Sequence, residues 1–183
     1  MGFGNRWRNW ISMCVSSAKI AVLVNGFPSK FFSINRGLRQ GCPLSPYLFN
    51  IFGEALSSLI YSAVHKGYFV GASVGANGMS ISYLQYADDL IVFAKAEERQ
   101  VLNIKRLLRI FELASGLSLN LKKTSLVGVN VEESAVRNWV ELIGCSVGSL
   151  PFSYLGIPLG ASRNCASLWQ LIIDKIQSKL EGW

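Results

Sequence analysis

Apolar positions recur at helical spacing in five stretches, with short runs of strand-forming residues between them. Trp7, Trp10, Ile11, Cys14 and Val15 mark a first helix over 7–17, with Arg6 and Arg8 on its other side. Leu48, Phe52, Leu56, Leu59 and Ile60 form the stripe of a second, which Pro46 opens and Gly67 closes. In a third, over 97–114, Val101, Ile104, Leu108 and Phe111 face one way, Lys105, Arg106, Arg109 and Glu112 lie off that line, and Gly116 ends it. Shorter patterns predict helices over 134–143 and 168–180. The β-runs fall at 20–24, then, past an Asn25-Gly26 turn, at 30–34. Others fall at 81–85, at 90–93, within 118–129 around Lys122-Lys123, and as an extended stretch over 152–158. Residues 69–77 carry little pattern, and the chain shows neither an internal repeat nor a low-complexity tract. Helices and strands alternate irregularly, which predicts a single α+β unit with an antiparallel sheet backed by helices.

The runs 81–85 and 90–93 flank Tyr86-Ala87-Asp88-Asp89. Ile, Leu, Val, Tyr and Phe suit strands, whereas Asp favours turns, so this is a β-hairpin with two carboxylates at its tip. Successive side chains of a flat strand point to opposite faces. Adjacent Asp residues can therefore share one site only where the backbone turns. Two carboxylates held close repel each other, and a hard cation such as Mg²⁺ relieves the repulsion while phosphate oxygens complete its octahedron. That is the chemistry of two-metal phosphoryl and nucleotidyl transfer; a solvated turn is the plain alternative.

Composition narrows the choice. The chain has 183 residues, is 50% hydrophobic and 16% charged, and can bury a core. Lys and Arg number 18 against 11 Asp and Glu, a net +7, which favours a polyanionic partner, nucleic acid above all. Cys14, Cys42, Cys145 and Cys165 stand far apart and His65 is the only histidine, which argues against a zinc site. No targeting or secretory signal is visible, so reduced thiols inside the cell are expected. The uncharged stretch 67–87 is too rich in Gly, Ser and Asn to span a membrane, and no membrane partner is expected.

Between the first β-runs and the second helix stands Arg36-Gly37-Leu38-Arg39-Gln40-Gly41-Cys42-Pro43-Leu44-Ser45-Pro46, a loop shaped by glycines and prolines and carrying cationic donors. This loop, then Tyr86 to Asp89, Ser115 to Lys123, and Tyr154-Leu155-Gly156-Ile157-Pro158-Leu159-Gly160 follow in one order. The order resembles the reverse transcriptases of non-LTR (LINE-type) retrotransposons, plant ones above all, over nearly the whole chain. The resemblance implies a polymerase palm, an RNA template with a DNA primer, a deoxynucleoside triphosphate, Mg²⁺ or Mn²⁺, and work in the nucleus. It makes Asp88 and Asp89 the catalytic metal ligands. Tyr86 and Ala87 would abut the primer end and incoming nucleotide. Arg39, Gln40, Gly41, Pro43, Leu44, Ser45 and Pro46 would shape the nucleotide and template pocket. Many plant relatives carry Asp where this chain has Cys42, which lacks a neighbouring base and reads as a small buried residue. Lys123 would lie near the nucleotide phosphates, with Lys122 a rival. Tyr154, Leu155 and Gly156 would lead the primer strand by that resemblance, although the residues by themselves favour a plain strand with a Pro-Gly turn.

The same resemblance demands a further aspartate upstream of the Arg36 loop, yet no Asp or Glu precedes Glu54, and Asp174 lies on the wrong side of the motif order. The expectation is a reverse transcriptase domain over 1–160, its palm incomplete at the N-terminus and without fingers, and a helical extension over 161–183 towards an absent thumb. A chain short of one main carboxylate should be inactive alone. The rival expectations are a nucleic-acid-binding remnant without catalysis and an inert product of a decayed element.

Overall fold

The computed structural model describes residues 2–34, 37–75, 78–160 and 166–181; Arg36 and Cys165, named above, and parts of the stretches 69–77 and 161–183 lie outside them. In chain order the described elements are α1 (Asn5–Ser16), β1 (Lys19–Ile20), β2 (Leu23–Val24), β3 (Phe27–Pro28), β4 (Phe32–Ser33), α2 (Leu44–His65), β5 (Ala72–Val74), β6 (Met79–Ile81), β7 (Tyr83–Tyr86) and β8 (Asp89–Val92). They continue as α3 (Glu98–Ser115), β9 (Ser125–Leu126), α4 (Glu133–Ile143), β10 (Ser146–Val147), β11 (Phe152–Tyr154), β12 (Ile157–Leu159) and α5 (Ala166–Leu180). Among the described residues, no helix is long and apolar enough to cross a membrane.

All five predicted helices form. α2 starts at Leu44 behind Pro43, so Pro46 stands inside its first turn instead of opening it. Proline is tolerated there because the first amide groups of a helix have no partner within it. α3 ends where Gly116 takes the left-handed conformation at φ 73° and returns its N–H to the Glu112 carbonyl, and Gly144 closes α4 in the same way at φ 86°.

The strands depart from the expected single antiparallel sheet. Among the described residues they form six two-stranded ribbons, five antiparallel and one, β9 with β10, parallel across α4. The run 81–85 breaks at Ser82, and the stretch 152–158 folds back on itself at Leu155 and Gly156 instead of staying extended. Both residues take positive φ, 52° and 82°, as a tight two-residue hairpin turn requires.

The core joins α2, α3 and the β7–β8 hairpin. Leu56, Ile60 and Ala63 of α2, Phe69, and Leu107 of α3 are buried together, with Tyr83, Leu90 and Val92 of the hairpin packed against them. Phe69 and Ile60 are each 1% exposed, and burying such a side chain stabilises by about 2–3 kcal/mol. The segment between α2 and β5 is clamped to α3 by two amides. Gln100, 4% exposed, accepts the Val70 N–H at 2.8 Å and donates to Glu97 at 2.9 Å, and Asn103 donates to the Tyr68 carbonyl at 2.8 Å. Gly71 lets β5 approach β6: a Cβ there would stand 2.4 Å from the Ile81 carbonyl oxygen.

Candidate functional site

The β7–β8 hairpin presents the acidic pair. Tyr83 pairs with Val92, Leu84 with Ile91, Gln85 with Leu90 and Tyr86 with Asp89, which leaves Ala87 and Asp88 as the turn. Ala87 takes φ 50°, as the first residue of such a turn can when the strands twist tightly. Asp88 thus stands in the turn and Asp89 opens β8, both exposed. The inward alternation of Tyr83 and Gln85 seats the hairpin on the helices, and Leu84 and Tyr86 point outward.

The loop at the head of α2 is held by its own bonds. The Ser45 hydroxyl donates to the Arg39 carbonyl at 2.7 Å, the Cys42 N–H to the same carbonyl at 3.3 Å, and the Ser45 N–H to the Cys42 carbonyl at 3.0 Å. Gly37 and Gly41 turn the chain at φ 78° and 77°. Cys42 is half-buried, and its thiol is drawn below the ordinary value, first by the Leu44 N–H and then by the Arg39 side chain.

Loop and hairpin meet. A cleft of about 720 Å³ is lined by Leu38, Arg39, Gln40, Gly41, Cys42, Pro43, Ser45 and Pro46, by Phe49 and Asn50 of α2, and by Ala87. Leu44 and Tyr86 lie outside this lining. Ala87 is also the edge of a second, polar cleft of about 380 Å³ that contains Asn50, Gly53, Glu54, Ser57, Tyr83 and Gln85. Here Gln85 donates weakly to the Ala87 carbonyl at 3.4 Å, and it packs closely on α2 at Gly53, where a Cβ would come 3.3 Å from the Gln85 amide nitrogen. Sequence reasoning assigned no site role to Gln85 or Glu54, which line this cleft. A glycine inside a strong helical pattern was the available signal.

The remaining candidates stand apart from both clefts. Lys123 is exposed in a turn that Asn120 ties together by its carbonyl and its side-chain oxygen, at 3.0 and 3.3 Å from the Lys123 nitrogen. Lys122 beside it is equally exposed. The chain into this turn is clasped by Glu112, whose carboxylate accepts the Leu119 N–H at 2.5 Å and the Arg109 guanidinium at 3.0 Å. These two donors, the Leu119 N–H first, hold the Glu112 carboxyl below the usual range. Tyr154 is half-buried at the end of β11, paired with Ile157, and Leu155 and Gly156 form the exposed tip.

The donor set at the hairpin suits a hard divalent cation in kind, since carboxylate oxygens are its preferred ligands. Among the described residues no group of three or more His, Cys, Asp or Glu side chains converges there or elsewhere. Two carboxylates leave most of an octahedron to water and to substrate oxygens.

A profile of the family described as "Reverse transcriptase (RNA-dependent DNA polymerase)" matches residues 2–159. The chain belongs to that family. It is 31% identical over 147 residues to "Retrovirus-related Pol polyprotein from type-2 retrotransposable element R2DM" of Drosophila melanogaster, covering 75% of this chain and 13% of the relative. It is 30% identical over 131 residues to the type-1 R2 Pol polyprotein of Popillia japonica, covering 70% of this chain and 17% of the relative. It is 45% identical over 67 residues to "Uncharacterized mitochondrial protein AtMg01250" of Arabidopsis thaliana, covering 37% of this chain and 55% of the relative. The R2 relatives agree with the non-LTR resemblance of the motif order. The chain spans a small part of their length, so it corresponds to a portion of a reverse transcriptase domain of that kind.

Proposed function

We propose that the chain supplies the nucleotide-binding and acidic-hairpin part of a polymerase palm. The reaction is addition of a deoxynucleoside triphosphate to a DNA primer on an RNA template: the primer 3′ oxygen bonds to the α-phosphorus and pyrophosphate leaves. The observation that carries this reading is that Ala87, next to Asp88 in the hairpin turn, lines one cleft with the loop that precedes α2, while Asp88 and Asp89 stand just outside that lining. Asp88 and Asp89 would hold Mg²⁺ or Mn²⁺, which when bound neutralises charge on the triphosphate. Arg39, Gln40 and Gly41 line the cleft, where the Arg39 and Gln40 side chains would supply donors for phosphate or base edges. Pro43, Ser45 and Pro46 line that wall, Leu44 would help shape it, and Ala87 and Tyr86 would abut the primer end and incoming nucleotide. Lys123 would meet the phosphates and Tyr154, Leu155 and Gly156 would guide the primer. α5 reads as the start of an extension towards a thumb, and a nuclear site of action goes with this role.

One observation favours a second reading, a nucleic-acid-binding remnant without catalysis. The hairpin pair gathers no third acidic partner among the described residues. The test is primer extension on an RNA template by this chain joined to a related upstream segment that bears an aspartate strand and fingers. Extension that Asp88→Asn abolishes supports the palm reading. Extension that survives Asp88→Asn rules out the hairpin as the metal site, and no extension with intact template binding favours the remnant.

A further inference from the structure

The charge of this chain is concentrated at one end. Six of its 18 Lys and Arg residues, and none of its 11 Asp and Glu residues, precede Glu54, so the first 53 residues carry +6 of the net +7. Little of that end is buried: among the described residues none before Leu48 is.

The ribbon β1–β4 explains what is left uncovered. Lys19 pairs with Ser33 and Ile20 with Phe32, whereas Leu23 pairs with Pro28 and Val24 with Phe27. The two registers differ by one position, so one extra residue sits in the returning limb, a bulge between Ser29 and Phe32. The two ribbons are thus one long bulged hairpin whose tip, Asn25-Gly26, turns at φ 51° and 84°. Its aromatics stand in the open: Phe27 is 78% exposed, Phe31 75% and Phe32 50%. In α1, before the hairpin, Trp10 is half-exposed with Arg6 4.7 Å from its ring centre, and Arg8 lies two positions on.

Exposed apolar surface of this extent marks a contact surface, and charge decides among its occupants. A second copy would bring +6 against +6. Residues 54–183 carry 12 cations against 11 acids, so they bring no net negative charge to set against it. A polyanion with flat apolar faces satisfies both features, since bases stack on aromatic rings and phosphates pair with Arg and Lys. We infer that α1 and the bulged hairpin form a platform for a single-stranded polynucleotide. Phe27, Phe31 and Phe32 stack bases, and Arg6, Arg8, Lys19 and Lys30 neutralise phosphates. In sequence the returning limb of the hairpin leads to the 37–46 loop, most of which lines the cleft, so the platform would deliver a strand towards the site. This choice of polyanion rests on the palm reading above, because a template must be unpaired to be copied.

The experiment is a titration of labelled 15-mer oligo-dT and oligo-U, and of a duplex of equal length, with the full 183-residue chain at several salt concentrations. The platform predicts tighter binding of the single strands. Phe27→Ala with Phe31→Ala weakens that binding about tenfold or more and leaves its salt slope unchanged. Arg6→Ala with Arg8→Ala lowers the slope of log affinity against log salt by about 1.4. All four side chains are exposed, and unchanged circular dichroism checks the fold. Equal affinity for duplex and single strand, or single-strand binding unaffected by both double variants, overturns the inference. So does binding of phosphatidylserine vesicles without binding of oligonucleotides, or a dimer lost in Phe27→Ala with Phe31→Ala while oligonucleotide affinity holds. Failure of the palm reading looks different: extension by the joined enzyme survives Asp88→Asn, whatever the oligonucleotide titration gives.

Discussion

Tyr86 and Asp89 are direct cross-strand partners, so the whole reversal between them falls on Ala87 and Asp88. This relationship aims two sequence-adjacent carboxylates from one end of a ribbon instead of from its two faces. Its cost is borne by Ala87, a residue with a Cβ at φ 50°. The left-handed region costs a non-glycine residue about 1 kcal/mol, and a β-branched one more. Ala87→Val should therefore lose about 1–2 kcal/mol in urea unfolding. Ala87→Gly should be near neutral, because strain relief offsets the greater freedom of glycine in the unfolded chain. A Val variant as stable as the parent would show that the turn is not strained as described.

Gln100 carries the second expectation. Its buried amide is the partner of the Val70 N–H and also reaches Glu97. Gln100→Leu keeps the bulk but leaves that N–H without its acceptor, which costs about 1–3 kcal/mol. Amide exchange should speed up at Val70, and the 68–71 segment should loosen from α3 while Asn103 still holds Tyr68. Stability equal to the parent would mean that water replaces the amide freely.

These two residues show what was legible in the sequence. The hairpin was, because β-formers flank turn-prone aspartates and the registers follow from the two-residue loop. The five helices were, because each has an apolar stripe and three end at glycine. Gln100 was not: a lone polar residue on a helix does not announce that it faces a backbone N–H thirty positions earlier. The sheet was not legible either. Short runs such as Leu23–Val24 and Phe32–Ser33 fit any pairing, and the bulge that offsets them leaves no compositional mark. The loop's place beside the hairpin entered through family resemblance and motif order, since periodicity says nothing about which distant segments meet.

The pH dependence of stability should carry a contribution from Glu112. Its carboxyl is held below its ordinary value by the Leu119 N–H first and by Arg109 second. A depressed acid stabilises the fold fully above its unfolded value, near 4.5, and loses that contribution as pH falls through the lower folded value. Stability should thus decline below about pH 4.5 with a component that Glu112→Gln removes, so the variant is weaker at pH 7 but shows a flatter acid limb. Chemical denaturation at pH 7, 5, 4 and 3 measures this. Parallel acid limbs in parent and variant would assign the loss to other carboxylates.

The final expectation concerns catalysis by the 183-residue polypeptide tested alone. Asp88 and Asp89 are paired at one tip, but no third acidic side chain converges with them among the described residues. Mg²⁺ demands near-ideal octahedral geometry and is reluctant to dehydrate, so two exposed carboxylates hold it weakly and orient it poorly. Nucleotidyl transfer depends on positioning and on charge stabilisation at the reacting phosphate, and an error of about 1 Å costs on the order of a hundredfold. The polypeptide should therefore extend no primer on an RNA template, even with Mg²⁺ or Mn²⁺ in excess. Manganese binding, followed by water-proton relaxation, should be weak and should drop further in both Asp88→Asn and Asp89→Asn. Each substitution removes a charge while nearly preserving size, so loss of the ion reports on charge and not on packing. Templated extension by the parent alone, abolished by Asp88→Asn, would prove this expectation wrong and show that the two carboxylates suffice. Manganese binding unchanged in both variants would move the metal site elsewhere.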